Sequence, residues 1–277
     1  MVSLAPRIPL NDGHSIPQIG LGTWPLGDDE VASVIVEAAQ LGYRHIDTAA
    51  KYGNEKGVGA GIAATGLARD ELFVTTKLDG QFQGDDRAIR GLDSSLDRLG
   101  LDHVDLLLIH WPLPQRDEYI STFRTFAKLM EEGKTRSIGV SNFKPAHLER
   151  LVAETGITPA VNQVEINPYV VRAEQRAANH HLGVVTESWS PLAPGTGLLT
   201  DARILRIAGE HGRTPGQVVL RWHVQQGLVA IPKSRSHDRL ADNLAVFDFE
   251  LTADDLAVIA EFSEGPDAGV DSDVSGH

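Results

Sequence analysis

Four residues in the first half of the chain have side chains suited to proton transfer. Asp47, Lys77 and His110 each lie at or just past the end of an apolar, strand-like run, and Tyr52 follows Asp47 on the next loop. The carboxyl ends of parallel strands meet on one face of a sheet, where parallel barrels carry their catalytic groups. The spacing therefore predicts that an acid, a cation, a base and a phenol converge at one place.

This set supports proton transfer to or from a carbonyl or alcohol oxygen. A free tyrosine has a pKa of about 10, and an ammonium such as that of Lys77 would lower it. A buried lysine keeps its proton when a carboxylate, here Asp47, lies beside it. Tyr52 can then protonate an oxygen that gains negative charge, while His110 hydrogen-bonds the same oxygen. None of the four supplies a hydride, so we expect an external reductant, of which nicotinamide is the obvious one.

Strand-like and helix-like segments alternate along most of the chain. The apolar runs predict strands at 19–24, 43–49, 72–78, 104–110, 137–142, 160–166, 183–189 and 228–234. Helical segments follow them at 29–41, 54–66, 85–99, 118–132, 144–155, 171–182, 202–212 with 215–226, and 236–246. Eight strand–helix units in about 250 residues predict the α/β class and a closed (β/α)8 TIM barrel.

Further elements flank the predicted barrel. RIPLNDGHSIP (7–17) predicts an N-terminal β-hairpin with its turn at Asp12-Gly13. Residues 252–262 predict an extra C-terminal helix, and we expect the Gly- and Asp-rich tail 265–277 to be loop-like or mobile. No linker or shift in composition interrupts the chain, so we expect residues 1–277 to form a single domain.

The composition limits which binding partners and which cellular compartment we expect for the protein. The formal net charge of −13 argues against nucleic acid or an anionic membrane as the main partner. The lack of cysteine excludes disulfides and thiolate nucleophiles and fits a reducing cytoplasm. No run approaches the ~20 apolar residues that span a bilayer, and no cleavage signature is present near the first residue. Adjacent histidines at 180 and 181 face different directions on a helix, so we expect no metal site.

A series of short motifs resembles the aldo-keto reductases. KGVGAGI (56–62) is not the dinucleotide fingerprint of a Rossmann fold, because it lies inside a helical segment. The resemblance instead rests on GLGTW (20–24), YRHIDTAAKYGNE (43–55), TTKL (75–78), LLLIHWP (106–112), IGVSNF (138–143), NQVEINP (162–168), SWSPLA (188–193) and the IPKS segment (231–234) with Arg239 and Asn243. It runs from about residue 8 to 262 and is closest to the bacterial group containing the 2,5-diketo-gluconate reductases.

The resemblance implies a monomeric barrel that binds NADPH and reduces aldehydes, ketones or α-dicarbonyls, diketo-sugar acids among them, to alcohols by hydride transfer. Asp47, Tyr52, Lys77 and His110 match the catalytic tetrad, with Tyr52 as the general acid. The positions that match contacts to the nicotinamide are Ser141, Asn142, Gln163 and Trp189, with Asp47 nearby, and those that match contacts to the pyrophosphate are Ser190, Pro191 and Leu192. The positions that match contacts to the adenosine phosphate and the adenine are Lys233, Ser234, Arg239 and Asn243. Gly22, Thr23 and Trp24 match a loop that lines both cofactor and substrate.

Substrate contacts are expected at Trp24, Tyr52, His110 and Trp111, since both tryptophans follow predicted strands. Departures from the resemblance are Lys51 before the tyrosine, Trp189 where many members have tyrosine, and Arg235.

The cations Lys233, Arg235 and Arg239 stand out in an acidic chain and predict tighter binding of NADPH than of NADH. Three alternatives remain open. In the first, Lys233, Arg235 and Arg239 are simply solvated side chains at the start of a helix. In the second, the barrel is an NADPH-binding sensor with little turnover. In the third, Lys77 forms a Schiff base in an isomerase or aldolase.

Overall fold

The computed structural model describes residues 4–277, which contain ten β-strands and ten α-helices. The strands are β1 (Arg7–Pro9), β2 (Ser15–Pro17), β3 (Leu21–Gly22), β4 (His45–Asp47), β5 (Phe73–Leu78), β6 (Val104–Ile109), β7 (Thr135–Ser141), β8 (Val161–Glu165), β9 (Val185–Trp189) and β10 (Val229–Ala230). The helices are α1 (Asp28–Leu41), α2 (Glu55–Ala64), α3 (Asp85–Leu99), α4 (Tyr119–Glu131), α5 (Pro145–Thr155), α6 (Ala173–His181), α7 (Ala202–His211), α8 (Pro215–Gln225), α9 (His237–Leu244) and α10 (Ala253–Ala260).

The strands β3 to β10 form one parallel sheet in chain order, with helices between successive strands. A parallel bridge pairs Ile19 with Ala230, and the Gly20 amide donates to the Ala230 carbonyl at 2.9 Å. These contacts join the first and last strands and close the barrel. The predicted (β/α)8 architecture is therefore confirmed, as are the antiparallel hairpin β1–β2 and the extra helix α10.

The burial of the elements explains why their sequence patterns are informative. β5 and β6 are buried along their whole length, because barrel strands have helices on one face and the barrel interior on the other. Helix α3 has the bounds that its periodicity predicts, and it buries Leu92, Leu96 and Leu99 toward the sheet. Gly100 ends this helix with a positive φ of 64°, a conformation that glycine adopts at little cost.

The hairpin covers the amino-terminal end of the barrel. Leu10 and Ile16 pack in one buried cluster with Phe73, Val161 and Val229, each of which lies at the start of its strand. The opposite end, where the strands finish, is left to the loops that carry the predicted catalytic residues.

Most predicted strands are shorter in the structure, and three of them are reduced to two or three residues, including β4 within the predicted run 43–49. Only Leu21–Gly22 and Val229–Ala230 form ladder pairs within the predicted runs 19–24 and 228–234. Pro232 has no amide hydrogen to donate, although its carbonyl still accepts from the Gly22 amide at 3.1 Å. The residues that follow these two strands, 23–24 and 231–234, line the cleft at the carboxyl end of the barrel.

The tail 265–277 contains neither helix nor strand, as predicted, but it is held against the barrel. Lys144 Nζ donates to Asp271 and to Asp273 at 2.5 Å each, and Arg172 donates to the Val270 carbonyl at 2.7 Å. The tail therefore forms an anchored loop. Separately, none of the helices within residues 4–277 is long and apolar enough to cross a membrane.

Candidate active site

Three of the four predicted catalytic residues are joined by direct hydrogen bonds. Lys77 Nζ donates to Asp47 Oδ1 at 2.6 Å, to the Thr48 carbonyl at 2.9 Å and to the Tyr52 hydroxyl at 3.3 Å. The ring centroids of Tyr52 and His110 are 5.7 Å apart, in an edge-on arrangement. The structure thus brings all four residues together at the carboxyl end of the barrel.

The barrel and one pinned loop fix these positions. Asp47 ends β4, Lys77 lies in β5 and His110 follows β6, so three neighbouring strands each deliver one group. Tyr52 lies in a short 3-10 helix, Ala50–Tyr52, at the start of the loop after β4. The side chain of Asn54 holds this loop, accepting from Thr48 Oγ1 at 3.0 Å and donating to the carbonyls of Thr23 and Leu26.

The Lys77–Asp47 pair is a buried ion pair. Both residues are 1% exposed. Burial acts to lower the pKa of Lys77, but the neighbouring acidic groups, Asp47 first among them, together more than offset this and raise it. Burial raises the pKa of Asp47, and the ammonium opposes that shift. We assign ammonium and carboxylate, because all three oxygens around Nζ can accept its hydrogens.

The environment of Tyr52 corrects one expectation from the sequence. Lys77 does act to lower the pKa of the phenol, but burial is the larger effect and the pKa is raised from its usual value. Burial likewise holds the pKa of His110 well below its usual value, with Lys77 acting in the same direction. At neutral pH the phenol is therefore protonated and the imidazole is neutral.

This arrangement can transfer a proton to an oxygen that becomes basic during a reaction. Tyr52 keeps its proton at rest and yields it only when charge develops beside it, at which point Lys77 stabilises the phenolate. Neutral His110 can donate one hydrogen bond to the same oxygen. A lysine held by Asp47 in this way is a poor nucleophile, so the geometry does not favour a Schiff base.

A second polar cluster lies on β7, β8 and β9 beside the tetrad. Asn142 donates through Nδ2 to the His110 carbonyl at 3.0 Å and to Ser141 Oγ at 3.1 Å, and it accepts from Trp189 Nε1 at 2.9 Å. Gln163 donates through Nε2 to Asp47 Oδ2 at 2.8 Å. These contacts orient two side-chain amides along the floor of a cleft.

The cleft has a volume of about 1110 Å³ and contains most of the predicted site residues. It is lined by Gly22, Thr23, Trp24, Asp47, Tyr52, His110, Trp111, Ser141, Asn142, Gln163, Trp189, Ser190, Pro191, Leu192, Lys233, Ser234, Arg239 and Asn243. Lys77 lies behind Asp47 and Tyr52 and does not line it. Trp24 is 59% exposed at the lip, whereas Trp111 is 9% exposed.

The shape and charge of the cleft fit an extended ligand with an anionic end. A Cβ atom at Gly22 would lie 2.9 Å from the Ile231 carbonyl oxygen, so only glycine lets β3 approach the segment after β10 this closely. Lys233 and Arg239, which we call the basic rim, are exposed. Neither has a carboxylate within 4.0 Å anywhere in the described part of the chain. Their charges are thus free to meet an anion.

Arg235, the third cation of the predicted clamp, does not line the cleft. It is exposed, and its Nε lies 3.3 Å from Glu30 Oε1 on α1. The basic rim therefore consists of two residues where the sequence predicts three.

Several residues that line the cleft lie outside the predicted set. They are Pro25, Lys51, Pro194, Leu199, Thr214, Pro215, Gly216, Ile231, Pro232, Asp242 and His277. The sequence does single out Lys51, because it departs from the resemblance at the position before Tyr52. His277 belongs to the tail 265–277, whose conformation does not follow from the sequence, and the anchored tail brings its ring to 5.0 Å from that of His110. Within residues 4–277, no group of three or more His, Asp and Glu side chains could hold a metal ion.

Comparison with protein families and curated proteins gives consistent matches over almost the whole chain. The model of the Aldo/keto reductase family matches residues 18–264. An aldo-keto reductase of Mycolicibacterium smegmatis is 49% identical over 268 residues, 97% of each chain. The methylglyoxal reductase DkgA of Escherichia coli K12 is 44% identical over 272 residues, 97% of this chain and 98% of its own.

Solved structures give the same result. A point mutant of Gox0644 in complex with NADPH superposes with a TM-score of 0.94 at 43% identity, covering 99% of this chain and 100% of its own. An aldo-keto reductase of Bombyx mori (AKR2E4) in complex with NADP has a TM-score of 0.88 at 38% identity, covering 94% of each chain.

Proposed function

This chain belongs to the aldo/keto reductase family, and we propose that it reduces small carbonyl compounds to alcohols with NADPH. The observation that carries the proposal is the hydrogen-bonded set Asp47–Lys77–Tyr52, which opens with His110 into a single cleft that ends at a basic rim. Proton transfer and capture of an anionic cofactor then occur in one continuous space.

The residues that line the cleft support a position for the cofactor. We place the nicotinamide amide against Ser141, Asn142 and Gln163, with Trp189 beside the ring. Ser190, Pro191 and Leu192 would hold the pyrophosphate, Lys233, Ser234 and Arg239 would hold the 2′-phosphate, and Asn243 would contact the adenine. NADPH, when bound, supplies the hydride that none of the protein side chains can supply.

The protein supplies the proton and the orientation. His110 donates a hydrogen bond to the carbonyl oxygen and directs it toward Tyr52. Tyr52 releases its proton as that oxygen gains charge, and the buried ammonium of Lys77 stabilises the phenolate that remains. Asp47 keeps Lys77 protonated in a site that is otherwise poorly solvated.

The substrate class is set by the outer part of the cleft. Trp24 and Trp111 form apolar walls beside Tyr52 and His110. The relatives named methylglyoxal reductases act on a small α-dicarbonyl. We propose that α-dicarbonyls and small aldehydes are the substrates of this chain as well.

The test is NADPH oxidation, followed by absorbance, with methylglyoxal, diketo-sugar acids and aromatic aldehydes. NADPH binding is measured in parallel from protein fluorescence. Turnover with at least one α-dicarbonyl is expected. Tight NADPH binding without turnover across the panel would favour the alternative, a sensor that holds the cofactor.

We further propose that residues 1–277 act as one monomeric domain in the cytoplasm. A barrel closed between its first and last strands and a chain without cysteine support this. Light scattering coupled to gel filtration should give the mass of one chain, 29.9 kDa, and twice that mass would exclude the monomer.

A further inference from the structure

Two buried titratable side chains lie in the barrel interior beneath the tetrad, and the proposed reaction does not use them. Glu187 on β9 and His45 on β4 are both completely buried, and His45 Nε2 is 3.6 Å from Glu187 Oε1. Buried carboxyl groups are costly unless they are hydrogen-bonded or paired, so the contacts of Glu187 are informative.

Gln163 connects Glu187 to the tetrad. Its Nε2 donates to Asp47 Oδ2 at 2.8 Å and to Glu187 Oε2 at 2.9 Å. A side-chain amide nitrogen has two hydrogens and no acceptor, so these two carboxyl groups use its whole donor capacity. The nitrogen of Gln163 is therefore committed to the barrel interior.

The two contacts also decide which way the amide faces. If the amide were flipped, Oε1 would lie within 3 Å of two carboxyl oxygens, and the Asp47 carboxylate could offer it no hydrogen. Asp47 alone would hold one of the two N–H groups and leave the other buried without an acceptor. Glu187 supplies the second acceptor, and Oε1 of Gln163 is left to face the cleft.

We propose that Glu187 is a positioning residue of the cofactor site, which acts by fixing the Gln163 amide with its carbonyl oxygen toward the cleft. In that orientation Gln163 accepts a hydrogen bond from the amide NH2 of the nicotinamide. This inference rests on the proposed function, because it concerns the NADPH that we place in the cleft.

The charge of Glu187 follows from its neighbours. The charged groups facing it are Asp47 and Lys77, of which Asp47 has the larger influence, and the neutral groups are Tyr52 and His45. Burial lowers the pKa of His45 to about 3 and raises that of Glu187 to about 8, with the Asp47 carboxylate adding to the second shift. At neutral pH, Glu187 is therefore mostly a neutral carboxylic acid whose Oε2 accepts from Gln163. Above pH 8 it gains a negative charge.

Two substitutions distinguish the role of the acceptor oxygen of Glu187 from the role of the rest of its side chain. Glu187→Leu removes the acceptor at similar volume and should raise the NADPH dissociation constant by about five- to tenfold, roughly one hydrogen bond. Glu187→Gln keeps an acceptor oxygen and should bind NADPH within about twofold of the native protein. In a Gln163→Leu background, Glu187→Leu should have no further effect, because its effect passes through that amide.

The pH dependence of cofactor binding provides a second test, because a purely structural role of Glu187 would not produce it. Ionised Glu187 favours the positively charged ring of NADP+ over the neutral ring of NADPH. From pH 7 to 9, the ratio of the NADP+ to the NADPH dissociation constant should fall by about threefold or more in the native protein. It should stay constant in Glu187→Gln.

Glu55→Gln is the matched control, because the side chain of Glu55 is also buried, and it is bonded to Thr76 and Arg98 and not to any residue of the cleft. It should leave NADPH binding unchanged. An unchanged dissociation constant in Glu187→Leu, or an additive loss in the Gln163→Leu background, would overturn the proposal. If Glu187→Leu does not fold, the pH series decides. The proposal would then be overturned if the ratio of the NADP+ to the NADPH dissociation constant depended on pH in Glu187→Gln as it does in the native protein. A native protein that binds no NADPH would contradict the proposed function itself.

Discussion

The reaction end of the cleft and its basic rim both depend on charge, but they are built in opposite ways. At the reaction end, Asp47 and Lys77 are 1% exposed and bonded to each other. At the basic rim, Lys233 and Arg239 are exposed and have no carboxylate within 4.0 Å in residues 4–277. The same kind of side chain is thus buried and paired in one place and solvated and unpaired in the other.

The difference reflects two functions, stabilising charge during the reaction and binding a phosphate. Stabilising a charge that appears only during a reaction requires groups fixed in advance in a site of low dielectric, and that costs stability. Capturing a phosphate requires cations that are not already neutralised, and exposure keeps them charged at little cost. We therefore expect substitutions at the reaction end to change the chemical step or the fold, and substitutions at the basic rim to change affinity.

The largest expected effect is that of Tyr52→Phe. Loss of the phenolic proton should lower kcat by about 10²- to 10⁴-fold, because general acid catalysis contributes that much. The NADPH dissociation constant should change by less than about twofold, since only the chemical step uses the proton. Stopped-flow absorbance gives the first quantity and protein fluorescence the second. Retention of most of kcat would remove Tyr52 as the acid.

Lys77→Met tests whether the buried pair is costly to break. Asp47 would be left as an unpaired buried charge, so the free energy of unfolding should fall by about 3–5 kcal/mol. The double variant Asp47→Asn/Lys77→Met contains no unpaired charge and should recover much of that stability without recovering turnover. Urea unfolding followed by circular dichroism measures both. A double variant no more stable than Lys77→Met would show that the pair does not act as a unit.

Arg239→Ala tests the basic rim. It should weaken NADPH by about tenfold, roughly one charge-assisted hydrogen bond, while NADH changes little and kcat stays the same. The preference of the native protein for NADPH should also decrease as salt is raised, because exposed charges are screened. Titration calorimetry at two ionic strengths measures this. Equal dissociation constants of the native protein for NADPH and NADH would show that the rim does not bind the phosphate.

The smallest expected effect comes from Arg235→Ala. Its guanidinium lies beside Glu30 and outside the cleft, so NADPH affinity should change by less than about twofold. Because it removes the same charge four residues from Arg239, this variant is the natural control for the preceding one. A tenfold loss would mean that Arg235 leaves Glu30 when the cofactor binds.

The sequence predicts well those features that depend on local period or on strand ends. The bounds of α3 follow from its buried leucines, and Asp47, Lys77 and His110 converge because parallel strands finish on one face. The hairpin follows from a local turn at Asp12-Gly13.

Features that depend on distant partners could not be obtained in this way. The orientation of the Gln163 amide depends on Glu187 of the neighbouring strand, and the position of Arg235 depends on Glu30 of α1. The raised pKa of Tyr52 depends on the burial around its hydroxyl, which the neighbouring lysine alone does not reveal. His277 enters the cleft because the tail is anchored, through Asp271 and Asp273 to Lys144 and through the Val270 carbonyl to Arg172.

The division of work between the two ends can be tested most directly with the double variant Tyr52→Phe/Arg239→Ala. These residues share no hydrogen-bond partner in residues 4–277, and effects at independent sites multiply in kcat/KM within about twofold. With methylglyoxal saturating, kcat/KM for NADPH should therefore fall by the product of the two single losses. A double variant no worse than Tyr52→Phe alone would contradict the account, because the rim would then act only through the chemical step.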